Sequence, residues 1–228
     1  WLRVDDACAD QLALRDQLIA DKPGDVLSAL PGSENALAEL RRLVATEAST
    51  LPGYGSVNGA LIRPDGVALS LELPDITFLG RACQEDFCLL ERQGDQHVLT
   101  AAALCFPANW KLSEKLGCPL TGIHVPVAEY DEDIARRVQR LFDGLQVDRP
   151  IWRANALNYH APVLHQPQKQ QKTGVPGYFR SEFQVLRRLP ETRAIVFSIH
   201  TVVMDLARMS ERERSKLPRI GAVSPESR

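Results

Sequence analysis

Three strand-patterned segments in the second half of the chain, Ile151–His160, Tyr178–Leu189 and Ala194–Val203, constrain its fold more than any other feature. Each alternates side chains with the period of two that a pleated strand imposes. The turn Pro190-Glu191-Thr192 joins the last two. Upstream, Gly59–Leu73 predicts a hairpin turning at Pro64-Asp65-Gly66. A second hairpin is expected from Phe87–Arg92 and His97–Phe106, joined at Gly94-Asp95. The fold class is therefore α+β: an antiparallel sheet of roughly five or six strands with flanking helices.

Helical spacing is clearest around Leu37, Leu40, Leu43 and Val44, where Ser33 can cap a helix starting at Glu34. A second helix is expected from about Asp131 to Gly144. Its buried stripe is Ile134, Val138, Leu141, Phe142 and Leu145, and Glu132–Arg136 and Asp133–Arg137 pair on its wet side. These signals divide the chain into an N-terminal helical extension (1–58) packed on a main domain (59–206), followed by a charged tail (207–228). The Pro-bearing, polar stretch 160–176 is expected to be a surface loop that can serve as a lid.

Composition excludes several functions. A formal net charge of −2 lacks the dense basic face that nonspecific nucleic-acid binding needs, so no nucleic-acid partner is expected. No apolar run approaches the roughly 18 to 20 residues that cross a bilayer, so no membrane partner is expected either. The chain opens on Trp1, which suggests a segment of something longer, with any targeting peptide outside it. Five cysteines without a Cys-x-x-Cys pair suggest neither a disulfide framework nor a zinc or iron–sulfur cradle; reduced thiols and a cytoplasmic setting are expected. Gly-x-Gly-x-x-Gly, Gly-x-x-x-x-Gly-Lys and Gly-x-Ser-x-Gly are all absent.

Two features carry candidate chemistry. The first is His124, set between Gly122 and Pro126. A neutral imidazole on a stiff turn can ligate a metal or a haem, and the alternative is a buried structural histidine. The second is polar alternation. Arg180, Glu182 and Gln184 share one strand face; Val196, Ser198, His200 and Val202 share one face of the next strand; Arg153, Asn155 and Tyr159 share one face of the first. Either a one-sided sheet shows these groups to water, or they line a cavity holding a carboxylate, guanidinium groups, amides and an imidazole. His97, beside a hairpin turn, is expected to be exposed, and His160 and His165 to lie on the surface. Trp110 and Trp152 are expected in the core or a pocket wall.

Taken together, the blocks Ala29-Leu-Pro-Gly-Ser33, Gln84-Glu-Asp-Phe-Cys-Leu-Leu90, Leu104-Cys-Phe-Pro-Ala-Asn-Trp110, Leu116-Gly with Ile123-His-Val-Pro-Val127, Trp152-Arg-Ala-Asn155 and Arg180-Ser-Glu-Phe-Gln-Val-Leu-Arg-Arg-Leu-Pro190 resemble a known family. It is the α subunit of haem-dependent oxidative N-demethylases (dimethylamine monooxygenase), whose α+β fold is related to haem-binding PAS sensors. The resemblance implies a PAS-like haem domain with haem b iron ligated by His124. It also implies Trp110, Arg153 and Asn155 around the cofactor, and Glu182, Arg180 and His200 as catalytic residues. Glu182 would bind an ammonium and help withdraw its proton; Arg180 or Arg153 would polarise iron-bound oxygen or hold a haem propionate.

The implied reaction removes a methyl group from a small secondary amine, dimethylamine above all, as formaldehyde, using O2 and NADPH-derived electrons. A reductase subunit carrying FMN and a 2Fe-2S centre would deliver those electrons, and tetrahydrofolate on a partner would capture formaldehyde. The competing reading is a haem-binding gas or redox sensor module without turnover. The chain departs from the family pattern at His200, where relatives more often carry arginine, and at Cys118-Pro119, where the thiolate is a rival ligand for the iron.

Overall fold

A computed structural model describes residues 1–70, 72–120, 132–169 and 174–217. The expected α+β architecture is present. The first helices are α1 (Cys8–Asp21), α2 (Pro23–Val26) and α3 (Glu34–Ala48), with a short strand β1 (Leu27–Ala29) between the last two. Then come β2 (Gly55–Val57), β3 (Ala60–Ile62), β4 (Ala68–Ser70), α4 (Asp75–Ala82), β5 (Asp86–Gln93) and β6 (Gln96–Ala103). After α5 (Glu132–Gly144), the chain forms β7 (Ile151–Tyr159), β8 (Tyr178–Arg188), β9 (Ile195–Asp205) and the single-turn helix α6 (Glu211–Arg214).

Six strands form an antiparallel sheet in the order β1-β6-β5-β9-β8-β7, and β2-β3-β4 form a separate small sheet. The hairpins expected at 64–66 and 94–95 both form, with Gly66 and Gly94 at positive φ (82° and 60°) where a side chain would be strained. Residues 1–58 supply β1, which pairs with β6, so they contribute one edge of the main sheet as well as helices.

Each face of the sheet is covered differently. One face, carrying Phe87, Leu89, Val196 and Ala103, packs against Leu37, Leu40 and Val44 of α3 and Phe78 and Leu79 of α4. Burying each such Leu or Phe contributes about 1.5–3 kcal/mol. The other face, carrying Cys88, Leu90, Ile195 and Ile199, meets Phe142 and Leu145 at the end of α5.

Two expectations about single residues fail. Ser33 does occupy the N-cap position of α3, but its hydroxyl donates to Leu30 O (2.8 Å) instead of accepting a helix amide. His97 is not exposed: it is 1% accessible, because α5 folds back over the β5–β6 hairpin. Its backbone N–H donates to Gln139 Oε1 (3.3 Å), its ring Nδ1 meets Gln139 Nε2 (2.9 Å), and its ring contacts Phe142. The pairs expected from Glu132 and Asp133 lie outside the described side chains.

Candidate functional site

Strand register decides which polar groups can meet. Directly opposed residues of antiparallel strands project to the same face. Arg153 lies opposite Gln184, Asn155 opposite Glu182, and Glu182 opposite Thr201. Gln184 lies opposite Ile199, which neighbours Asp86 on β5. Arg153, Asn155, Arg180, Glu182 and Gln184 therefore share the face covered by α5. His200 lies opposite Phe183 and projects to the other face.

On the α5 side the sheet bounds a cavity of about 250 Å³. Its walls are apolar: Leu90, Leu99, Ile151, Leu186 and Phe197 from the strands, Val138, Leu141 and Phe142 from α5, and Trp110 and Leu120 from the intervening segment. The polar lining comes from Arg153 and Gln184, with the Cys88 thiol beneath. Arg188 fixes the helical wall. Its guanidinium donates to the carbonyls of Phe142 and Leu145 (2.7 Å to Leu145) at the C-terminal end of α5 and to Arg193 O (3.0 Å), satisfying carbonyls that a helix end leaves unpaired.

One row further along the strands, about 7 Å given the strand rise, sits a buried polar cluster. Glu182 Oε1 accepts from Arg180 Nε (2.9 Å); its Oε2 accepts from Gln184 Nε2 (2.8 Å) and Asn155 Nδ2 (3.2 Å). Gln184 Oε1 in turn accepts from Arg153 Nε (2.7 Å). The water-facing reading of this strand face is thus overturned: Arg180, Glu182 and Gln184 are all buried.

The two arginines are not equivalent. Arg180 is fully buried and committed, donating to Glu182, to Leu164 O (2.9 Å) and to Phe106 O, with Thr201 Oγ1 at 3.5 Å and the Tyr159 ring 5.4 Å away. Arg153 stands exposed at the cavity mouth, held through Nε alone, with its terminal nitrogens facing no partner among the described residues. Arg180 therefore positions Glu182, and Arg153 is the guanidinium open to a ligand.

A second buried pair stands behind Arg180. Asp86 accepts from Arg15 Nη1 (2.9 Å), Cys105 N (2.7 Å) and Phe106 N (2.8 Å), fixing the loop whose Phe106 carbonyl receives Arg180. Arg15 also donates to the carbonyls of Gly80, Gln84 and Glu85. A chain of charge-assisted bonds thus runs from α1 to the Glu182 carboxylate.

The structure separates His200 from this set. Its Nδ1 meets Glu85 Oε1 (2.9 Å) and its Nε2 meets Asp5 Oδ2 (3.0 Å), so it ties residues 1–7 across the opposite face. Burial works against the imidazolium, but the two carboxylates outweigh it and raise the pKa. The neighbouring strap contacts agree: Trp1 packs on Phe87 and donates to Glu47, and the Arg3 guanidinium lies 3.5 Å over the Phe183 ring.

Other expected site residues are dispersed. Trp110 and Trp152 both line the cavity as expected, Trp152 from its rim, where it is 69% exposed and leans on Phe183. Asn155 reaches the site only through Glu182. His160 and His165 are half-buried, and His165 Nδ1 donates to Cys105 O (2.8 Å). The Cys118 thiol donates to Glu114 O and does not line the cavity. His124 lies outside the described residues. Gln184, which joins the cavity to Glu182, was on the page as a strand-face residue, but periodicity alone gave no sign that it bridges two charges.

No helix among the described residues is long and apolar enough to cross a membrane. The family model described as haem-dependent oxidative N-demethylase, alpha subunit-like, matches residues 1–222, nearly the whole chain. Its description names a haem-dependent oxidoreductase with more than one subunit. A match of that length makes this chain a member of the haem-dependent oxidative N-demethylase alpha-subunit-like family.

Proposed function

We propose that this chain is the haem-bearing catalytic subunit of an enzyme that oxidatively demethylates a small secondary amine, with dimethylamine the first candidate. The observation that carries the reading is the placement of Glu182: a buried carboxylate one row beyond an apolar cavity, on the face opposite the main hydrophobic core.

The character of the residues present fits a haem: apolar walls from the sheet and α5 for the macrocycle, and the free end of Arg153 at the mouth for a propionate. At about 250 Å³ the cavity is smaller than a porphyrin, so α5 would have to stand further from the sheet in the loaded protein. His124 would ligate the iron. It follows Leu120, a cavity residue, by four positions, and four peptide units reach at most about 14 Å. When bound, the haem supplies the site of O2 reduction and amine oxidation, with electrons derived from NADPH.

The chain's own groups handle the substrate. A dialkylammonium is cationic at neutral pH, and its lone pair must be freed before nitrogen or its methyl group can be oxidised. Glu182 binds the ammonium and takes up its proton at a carboxylate oxygen. Arg180 holds that carboxylate in place, and the Leu, Ile and Phe walls exclude water and strip hydration from the methyl groups. The products are a primary amine and formaldehyde.

The PAS-like part of the reading is supported by a sheet whose last strand, β9, inserts between the β5–β6 and β7–β8 pairs. FMN, a 2Fe-2S centre and tetrahydrofolate belong on partner subunits in this reading, and a cytoplasmic setting accords with five free cysteines. The test is to supply the haem-loaded protein with reductant, O2 and dimethylamine and to assay formaldehyde. Stoichiometric formaldehyde supports the enzyme; a haem protein that binds O2 and releases none is a sensor module.

A further inference from the structure

The amide of Gln184 stands between the cavity and Glu182, and its orientation is unambiguous. Arg153 can only donate, so Gln184 Oε1 is the atom that faces Arg153 Nε at 2.7 Å, and Nε2 is the atom that donates to Glu182 Oε2 at 2.8 Å. Gln184 lines the cavity, whereas Glu182 and Asn155 do not.

Counting acceptor sites sharpens the consequence. A carboxylate offers about two lone-pair sites per oxygen. On Oε2 both are filled, by Gln184 and Asn155; Oε1 accepts from the fully buried Arg180 and keeps its second site on that side, away from Gln184. A cation arriving from the cavity past Gln184 therefore meets Oε2, an oxygen with no vacant site. It can reach that oxygen only by replacing a donor, and Gln184 is the donor on the cavity side.

We infer that Gln184 is a placeholder for the substrate ammonium: its Nε2 occupies the position on Glu182 Oε2 that the amine N–H takes, and binding is an exchange of one donor for another. The inference rests on the reading of Glu182 as the ammonium-binding group and adds the residue that tunes amine affinity. The exchange substitutes a cation for a neutral amide, which strengthens the bond to the carboxylate. In the free protein the same amide fills the second acceptor site of that buried oxygen, beside Asn155.

Dimethylammonium titrated into the haem-loaded protein, followed by the visible spectrum and by calorimetry, tests this. Gln184→Met keeps the side-chain volume but removes the competing donor, so the dissociation constant is expected to fall about five- to tenfold, the worth of one net hydrogen bond. A merely structural Gln184 gives the opposite: weaker binding, or none. Gln184→Ala should shift affinity in the same direction and serves if the Met variant does not fold. Glu182→Gln run in parallel separates the two levels. If Glu182→Gln titrates like wild type, the Glu182 reading fails and this inference with it. If Glu182→Gln loses binding while the Gln184 variants bind no tighter, the placeholder role alone is overturned. In the wild-type protein with dimethylammonium bound, the Gln184 Nε2–Glu182 Oε2 contact should open beyond 3.5 Å; a contact that persists overturns the exchange.

Discussion

Replacing His200 distinguishes the structural account from the catalytic role that the resemblance implied for it. The imidazole bridges Glu85, which is fully buried, and Asp5, whose side chain is 31% exposed. Removing one partner of a buried pair costs about 3–5 kcal/mol because the other charge is left uncompensated. The Asp5 contact is partly screened by solvent and is discounted, while Glu85 keeps the Arg3 amide as a donor (2.8 Å). His200→Gln should therefore cost about 3 kcal/mol, which lowers Tm by about 6–12 °C for a domain of this size.

The pH dependence has a definite sign. The folded pKa of His200 lies above its ordinary 6.5, so its stabilisation is fully present below pH 6.5 and is lost as pH rises through the raised value. His200→Arg keeps a cation between the carboxylates and should flatten that alkaline limb. Thermal melts of the three proteins between pH 5.5 and 8.5 measure both effects. Amine binding by the haem-loaded variants should stay near wild type where they remain folded, because His200 faces away from the cavity. Unchanged stability together with lost amine binding would refute the placement.

The other predictions concern the cavity and its wall. Burial, the largest cause, lowers the pKa of His97, and the neutral ring accepts at Nδ1 from Gln139 Nε2; stability should therefore fall as pH drops below 6.5, and His97→Gln should remove that acid-side loss. Arg188→Met strands the carbonyls at the end of α5, costing about 2–4 kcal/mol, and hydrogen exchange should quicken at 138–145 before the core strands. Cys8, Cys83, Cys88 and Cys105 are buried, and burial pushes Cys8 up to about 11 and Cys105 up to about 12. A thiol reagent should therefore label Cys118 alone in the folded protein; fast labelling of a second cysteine would contradict the packing around it.

Much of the fold was legible because alternation and turn residues act locally. β5 through β9 and both hairpins stand where the period of two and the Asp-Gly or Gly-Asp turns placed them. The same alternation put Arg180, Glu182 and Gln184 on one face. It could not say which face of β9 lies alongside, since that depends on register, and one residue of register reverses the faces. His200 was therefore grouped with Glu182 although the sheet separates them. His97 was misjudged because its burial comes from α5, some 40 residues away, through Gln139. The division of labour between Arg153 and Arg180 was equally invisible: it is set by the carbonyls of Phe106 and Leu164, which no side-chain pattern announces.

The central claim is that haem occupies the cavity between the sheet and α5, ligated by His124. The visible spectrum of the haem-loaded protein tests it when wild type, His124→Ala and His165→Ala are compared, the last because His165 already donates through Nδ1 and keeps Nε2 available. Loss of the Soret band in His124→Ala alone is the predicted result. A normal band in His124→Ala, or its loss in His165→Ala, would contradict the account.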